Sequence, residues 1–198
     1  MKNKKEDVKK AILALENNGI IAFPTDTVYG LACVYDSEEA INKIKQAKGR
    51  DEKKPLPMML YSVDQIEKVA YVNEITKKII NKFMPGALTI VLKKREEVPS
   101  YVTNGFDTIG IRIPNHELSL EILRKINKPL LVTSANKSDT SSKFNSEEVR
   151  NDIGEYLDYL IDGESDNKLA STIVSLINEP VILREGTITL EEILKEIN

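Results

Sequence analysis

The sequence predicts an α/β fold in which one twisted sheet of mixed parallel and antiparallel strands is flanked by helices. Strand-like and helix-like segments alternate along the chain, as is typical of α/β proteins. The alternation is irregular, and hairpin-like pairs interrupt the strand–helix–strand rhythm of a purely parallel sheet. The 198 residues contain no internal repeat and no linker, so we expect a single domain over 1–198.

The first part of the chain predicts two helices around two extended segments. In order, these are a helix at 5–18, a strand at 20–23, an extended segment at 27–35 and a helix at 38–48. Apolar residues at helical spacing indicate both helices. Gly19 ends the first helix, Pro24 ends the strand, and Ser37 is placed to cap the second helix.

The middle of the chain predicts three strands and two helices. In order, these are a strand at 56–61, helices at 63–70 and 73–84, and strands at 87–92 and 108–113. Pro57 predicts that the first of these strands is an edge strand or contains a bulge. The Pro85-Gly86 pair ends the second helix.

The last part of the chain returns to alternating elements. In order, these are a helix at 116–126, a strand at 130–133, a short helix at 147–153, strands at 157–161, 171–177 and 181–184, and a helix from 190. Asn115 is placed to cap the first of them. The Ser-rich stretch at 138–146 is interpreted as a mobile surface loop.

Composition excludes several classes of protein. Lys and Arg number 28 against 31 Asp and Glu, a net charge of −3, which argues against a generally basic nucleic-acid coat but leaves room for a local basic cleft. The single cysteine, Cys33, and the single histidine, His116, exclude a disulfide framework and a Cys- or His-rich metal cluster. The apolar runs are shorter than the roughly 18 residues of a membrane span. The charged N-terminus does not resemble a signal peptide, so we expect a cytoplasmic protein with no membrane partner.

Two common nucleotide-binding loops are absent from the sequence. Gly105 and Gly110 have the spacing of a G-x-x-x-x-G-K-[ST] loop, but Ile111-Arg112 follow them, and no G-x-G-x-x-G occurs. Any nucleotide must therefore be bound by other means.

A cationic cluster follows the second predicted helix. It consists of Lys48, Gly49 and Arg50, with Lys53 and Lys54 close behind. A guanidinium beside ammonium groups suits a polyphosphate. The alternative is that these cations lie on a solvated surface at a helix C-terminus.

Hydroxyl-rich segments lie at the ends of predicted strands. They are residues 24–31, Thr133-Ser134-Ala135-Asn136 and Ser171-Thr172. In open sheets, ligands bind at the carboxyl ends of strands. The alternative is that these residues form turns and caps.

Arg112 and Arg184 are each embedded in an apolar strand. A buried arginine requires an anionic partner, whereas an outward-facing one follows from pleat alternation alone. With Lys48 and Arg50, these arginines favour a concave cationic cleft. Cys33 and His116 are interpreted as structural residues.

Seven segments, in this order along the chain, form a recognisable set of motifs: residues 24–31, 48–50, 85–89, 112–116, 134–136, 171–174 and 182–186. Together they resemble the YrdC-like family, the threonylcarbamoyl-AMP synthases of tRNA modification. The resemblance covers nearly the whole chain. It implies a YrdC-like fold in the short form, without the additional C-terminal domain of longer members.

The resemblance implies that L-threonine, bicarbonate and ATP are converted to L-threonylcarbamoyl-adenylate and pyrophosphate. Mg²⁺ is expected on the ATP phosphates, with no organic cofactor and no metal site of the protein's own. Threonine carbamate supplies the nucleophile, so no catalytic Ser, Cys or His is required. A tRNA-modifying complex that makes threonylcarbamoyladenosine (t6A) is the implied recipient of the product.

The resemblance also implies a role for individual residues. The residues expected to be catalytic contact the ATP phosphates and the adenylate, and they are Lys48, Arg50 and Arg184. The residues expected to bind the nucleotide are Lys54, Ser134, Asn136 and Ser142. The residues expected to bind threonine are Thr27 and Ser171, which contact its polar groups, and Arg112, which contacts its carboxylate.

The sequence departs from the family pattern at two positions. Lys54 stands where many relatives carry Asn, and Met59 where several long members carry His. Lys54 can still serve a phosphate, but Met59 cannot donate a hydrogen bond to threonine.

Two other functions compete with the synthase. One is an RNA-binding module that uses the basic cleft for weak RNA binding without chemistry; the chain has only 7 Tyr, 4 Phe and no Trp for base stacking. The other is a carbamoyl-transfer domain, although the chain lacks the Cys clusters that usually accompany one.

Overall fold

The computed structural model describes residues 4–49 and 55–197. Its helices are α1 (Lys4–Glu16), α2 (Glu38–Ala47), α3 (Ile66–Val69), α4 (Glu74–Phe83), α5 (Glu117–Ile126), α6 (Ser146–Ile153) and α7 (Leu190–Ile197). Its strands are β1 (Ile21–Phe23), β2 (Gly30–Val34), β3 (Met58–Met59), β4 (Leu88–Lys93), β5 (Thr108–Arg112), β6 (Leu130–Ser134), β7 (Tyr159–Leu160), β8 (Thr172–Ser175) and β9 (Val181–Arg184). Every predicted element has an observed counterpart.

The strands form one sheet in the order β7-β1-β2-β6-β3-β5-β4-β8-β9. Three neighbouring pairs are parallel, namely β1 with β7, β3 with β5 and β4 with β8, and the other five are antiparallel. The prediction of a mixed sheet with flanking helices is therefore confirmed.

Helices cover the two faces of the sheet unequally. On one face, α1 and α5 pack on side chains from β1, β2, β3 and β6. On the other, buried residues of the remaining helices pack along most of the sheet. Successive strand residues alternate between these two clusters, so Leu31 and Cys33 join the second while Ala32 and Val34 join the first. Among the described residues, β4, β5, β8 and β9 contribute nothing to the α1/α5 cluster. Their half of that face is therefore not covered by these two helices.

Three local predictions were wrong. The segment predicted to be extended from 27 begins its strand only at Gly30, because residues 24–29 form a loop held by their own hydroxyl groups. β3 is a central strand of two residues, between β6 and β5, rather than an edge strand. Pro57 precedes it and has no N–H to donate, but its carbonyl accepts from the Val132 N–H. His116, not Asn115, caps α5 by accepting from the Ser119 N–H. Ser37 does cap α2, accepting from the Ala40 N–H.

Within the described part of the chain, no helix is both long enough and apolar enough to cross a membrane.

Candidate active site

The uncovered half of the sheet opens into a cleft of about 290 Å³. Strand register places one row of side chains along its floor, because directly paired residues share a face of the sheet. Met59 pairs with Arg112, Thr89 with Ile173, and Ile173 with Arg184. The Ile90–Ile111 pair aligns Thr89 opposite Arg112 and so completes the row. The two arginines that the sequence singled out therefore face the same cleft from β5 and β9.

Arg112 is held at three points of its guanidinium. Its Nη2 lies 2.6 Å from Asp26 Oδ1, its Nη1 donates to Thr27 Oγ1 at 2.8 Å, and its Nε donates to the Gly86 carbonyl at 3.1 Å. The side chains of the ion pair are only 8% and 10% exposed. Burial lowers the pKa of Arg112, and Asp26 opposes that shift. The anionic partner that a buried arginine requires is thus Asp26.

The loop that carries Asp26 and Thr27 is fixed by buried hydrogen bonds. Thr25 Oγ1 donates to the Val28 carbonyl at 2.7 Å and accepts from the Thr27 N–H at 3.0 Å. The oxygens of the two threonine hydroxyls lie 3.1 Å apart. Both threonines are almost fully buried, at 2% and 1% exposure, although both line the cleft.

Arg184 is anchored at the opposite end of the row by Ser171. Its Nη2 donates to the carbonyl of Ser171 at 2.8 Å and to the Ser171 hydroxyl at 3.0 Å, and its Nε donates to the same carbonyl. The Ser171 hydroxyl also lies 2.9 Å from Thr89 Oγ1. Desolvation, followed by repulsion from Arg112, lowers the pKa of Arg184. An anion between the two arginines would relieve that repulsion.

Lys48 and Asn136 form the third side of the cleft. Lys48 is 4% exposed, and its ammonium donates to the carbonyls of Ser134 and Asn136 at 3.0 and 2.9 Å. The Asn136 amide nitrogen donates to the carbonyls of Lys137 and Thr140. Its oxygen Oδ1 is buried and has no hydrogen-bond partner among the residues that the structure describes. Because buried polar atoms are rarely left unpaired, this oxygen is available to a ligand's donor or cation.

Seven residues predicted from the sequence line this cleft: Thr27, Lys48, Arg112, Ser134, Asn136, Ser171 and Arg184. Ser142 is not among the lining residues. Arg50 and Lys54 lie outside the described residues. Met59, which was expected to offer no hydrogen bond, contributes an apolar wall with Val132.

Three further residues build the site although sequence reasoning did not select them: Thr25 and Thr89 line the cleft, and Asp26 holds Arg112. All three lie in segments already recognised as motifs, and Asp26 is the only acidic residue in 24–31. Its pairing with Arg112, 86 residues away, has no signal in the sequence.

The donor set of the cleft fits a metal carried by a substrate better than a resident metal. Among the described residues, no three His, Cys, Asp or Glu side chains come together as a metal site. Mg²⁺ is commonly bound through substrate phosphates and one or two protein oxygens. The unpartnered Asn136 Oδ1 is an oxygen of the required kind.

Comparison with known proteins identifies relatives over nearly the whole chain. The Sua5/YciO/YrdC family model, described as telomere recombination, matches residues 13–186. The threonylcarbamoyl-AMP synthase of Pyrococcus abyssi is 38% identical over 90% of this chain, which spans 53% of that protein. A Methanocaldococcus jannaschii protein provisionally given the same name is 38% identical over 96% of this chain and 89% of its own length. The crystal structure of P. abyssi Sua5 complexed with L-threonine matches 98% of this chain and 58% of its own, with a TM-score of 0.93 and 35% identity.

Proposed function

Because the chain belongs to the Sua5/YciO/YrdC family, we propose that it is an L-threonylcarbamoyladenylate synthase, a nucleotidyltransferase. The observation that carries the proposal is the convergence of Lys48, Arg112 and Arg184 with hydroxyl and amide groups on one cleft. The cleft's cationic character is part of the proposal. The chain spans about half the length of the P. abyssi synthase.

The proposed reaction needs no nucleophile from the protein. The amine of L-threonine adds to CO₂ from bicarbonate, forming a carbamate and releasing a proton. A carbamate oxygen then attacks the α-phosphorus of ATP, the bond to the β-phosphate bridging oxygen breaks, and pyrophosphate leaves. The protein's tasks are to align the two substrates and to stabilise negative charge in the transition state.

The nucleotide is proposed to lie between Lys48, Arg184 and the segment Ser134–Asn136. The Arg184 guanidinium, oriented by Ser171, suits the α-phosphate, where charge develops during the attack. Lys48 adds positive charge and holds the carbonyls of the segment in place. Arg50, Lys54 and Ser142 remain predicted phosphate or nucleotide contacts.

Threonine is proposed to lie along the row between Arg112 and Ser171. Arg112 would bind its carboxylate, and Thr27 and Ser171 its other polar groups. Arg112 uses three of its five N–H groups within the protein, leaving two for a carboxylate. The apolar wall of Met59 and Val132 offers a surface for the threonine methyl group.

Mg²⁺ is proposed to enter with ATP, where it neutralises phosphate charge when bound. Asn136 and Ser134 would supply oxygens to it. The adenylate is proposed to pass to a tRNA-modifying complex for t6A synthesis, which assigns the protein to the cytoplasm. We further propose that residues 1–198 form a single domain.

The test is pyrophosphate release from ATP with Mg²⁺ and bicarbonate, measured with L-threonine, with L-serine and with no amino acid. Release that requires L-threonine supports the synthase. If the folded protein binds ATP but releases no pyrophosphate with threonine, the proposal fails. RNA binding that weakens steeply with salt would then favour the RNA-binding module.

A further inference from the structure

The bonds around Arg112 fix the direction of every proton in one continuous chain. The Val28 carbonyl can only accept, so the Thr25 hydroxyl must donate to it. A hydroxyl has one hydrogen, so in the 3.1 Å contact between the two threonine hydroxyls Thr27 donates and Thr25 accepts. Thr27 in turn accepts from Arg112 Nη1. Protons therefore point from Arg112 to Thr27, then to Thr25 and finally to the Val28 carbonyl.

This direction limits what each group can offer a ligand. The Thr25 hydroxyl donates once and accepts twice, from the N–H and the O–H of Thr27, so its bonding capacity is full. The Thr27 hydroxyl donates its only hydrogen to Thr25 and accepts from Arg112, so one lone pair remains and it can only accept from a ligand. Arg112 can only donate. This end of the cleft therefore presents donors for an anion beside a single acceptor for a ligand N–H or O–H.

Asp26 fixes the other side of the guanidinium. Its Oδ1 accepts from Arg112 Nη2, while its Oδ2 accepts from the Asn115 N–H at 3.1 Å. The carboxylate thereby ties the loop before β2 to the segment after β5. Asp26 does not line the cleft, so it reaches a ligand only through Arg112.

We propose that Asp26 and Thr25 are positioning residues of the amino-acid subsite: Asp26 orients the donors of Arg112, and Thr25 forces Thr27 to be an acceptor. This inference rests on the proposed function and deepens it. The substrate class that fits is an α-amino acid, whose carboxylate accepts from Arg112 while its amine N–H or its side-chain hydroxyl donates to Thr27. A ligand that offers only acceptors would leave Thr27 unsatisfied.

The test compares the KM for L-threonine with the KM for ATP in the full chain, by pyrophosphate release, with calorimetric titration of L-threonine as a second readout. Thr25→Val keeps the side-chain shape but cannot accept from Thr27, whereas Thr25→Ser preserves the hydroxyl. Thr25→Val is expected to raise the KM for threonine about tenfold, a loss typical of one strong hydrogen bond, and Thr25→Ser less than about threefold.

Asp26→Asn provides the second variant. It removes the negative charge beside Arg112 and replaces one carboxylate oxygen with an amide NH₂, which would face a donor of Arg112 or the Asn115 N–H. Since two donors cannot bond to each other, the variant is expected to raise the KM for threonine at least about tenfold. Asp166→Asn is the matched control, because Asp166 is exposed and the side-chain hydrogen bonds of Arg112 go to Gly86, Thr27 and Asp26 instead. The KM for ATP should change less than about threefold in all four variants.

Each result decides the inference. An unchanged KM for threonine in Thr25→Val and Asp26→Asn, or an equal rise in both KM values, overturns it while leaving the synthase intact. Should Asp26→Asn fail to fold, the Thr25→Val and Thr25→Ser pair decides alone. If the wild type neither binds L-threonine nor depends on it, the proposed function and this inference fail together.

Discussion

The ammonium nitrogen of Lys48 lies 2.9 Å from the carbonyl oxygen of Asn136, 88 residues away in the sequence. This hydrogen bond joins the end of α2 to the segment that follows β6. A second hydrogen bond joins the same two segments, because the Ser138 N–H donates to the Lys48 carbonyl at 2.9 Å. Lys48 therefore has a structural task in the cleft as well as its proposed electrostatic one.

Lys48→Met should lower both stability and nucleotide affinity. The buried carbonyls of Ser134 and Asn136 lose a charged donor, which is expected to reduce the free energy of unfolding by about 2 kcal/mol. The KM for ATP should rise about tenfold or more, because the segment carrying Asn136 loses its anchor. Denaturant unfolding and steady-state kinetics measure the two effects. Lys45→Met, the same change one turn earlier on α2, is the control, and an equal effect there would refute the assignment.

Arg184→Lys should reduce the rate of adenylate formation about 100-fold, the effect of losing one well-oriented donor to transition-state charge. Lysine keeps the charge but cannot donate to Ser171 at two nitrogens as the guanidinium does. Unfolding should change less than activity, since Arg184 lies on the terminal strand β9 and its hydrogen bonds to Ser171 are only partly buried. Arg150→Lys, at the exposed ion pair with Asp162, is the matched control. Full activity of Arg184→Lys at saturating ATP would contradict the role.

Gly186→Ala should disturb the cleft through the backbone. An added Cβ would lie 2.5 Å from the Ala170 carbonyl oxygen and also against the Thr172 nitrogen. The start of β8, with Ser171, would have to move, at a stability cost of about 1–3 kcal/mol. Gly110→Ala is the control, because a Cβ there makes only ordinary contacts of 3.5 Å or more. Equal melting temperatures for the two variants would contradict the prediction.

His116 should make stability depend on pH below neutrality. Burial, with a smaller effect of Lys4, lowers its pKa, while Asp166, Asp26 and Glu117 oppose the shift. A lowered pKa in the folded state means that the unfolded chain binds the proton more tightly. Stability should therefore fall as pH decreases through the ordinary histidine value of about 6.5 and level off below the folded-state pKa.

His116→Asn isolates this effect, because His116 is the only histidine and asparagine is a good N-cap for α5. Chemical unfolding at pH 7.5 and 5.5 should show a smaller loss of stability in the variant than in the wild type. Identical losses would mean that carboxylates, and not His116, determine the dependence.

The local elements of the fold could be predicted because their signals are local. Apolar spacing located α2 and α4, Ser37 identified a cap, and Pro85-Gly86 marked an end. The order of strands could not be predicted. β6 lies between β2 and β3, and β4 pairs with β8, so these neighbours are distant along the chain. Their pairing depends on side-chain packing across the whole sheet, which no short segment encodes.

The site was predictable to a similar extent. Arg112 stood out because a charged side chain in an apolar strand requires an explanation, and Lys48 because it belongs to a cationic cluster. Asp26 and Thr25 resembled ordinary turn residues. The Asp26–Arg112 bond joins the loop before β2 to the end of β5, 86 residues away, and the Thr25–Thr27 contact depends on how that loop folds. The partners of a buried charge become visible only once the chain is folded.

The most direct test of the central claim is the composition of the product. The protein should be incubated with L-threonine, ATP carrying a labelled α-phosphate and ¹³C-bicarbonate, and the products analysed by mass spectrometry. We expect one compound that contains the threonine, the bicarbonate carbon and the labelled phosphate, with one pyrophosphate released for each molecule of that compound. Pyrophosphate released with AMP but without any compound that joins the three labels would contradict the account.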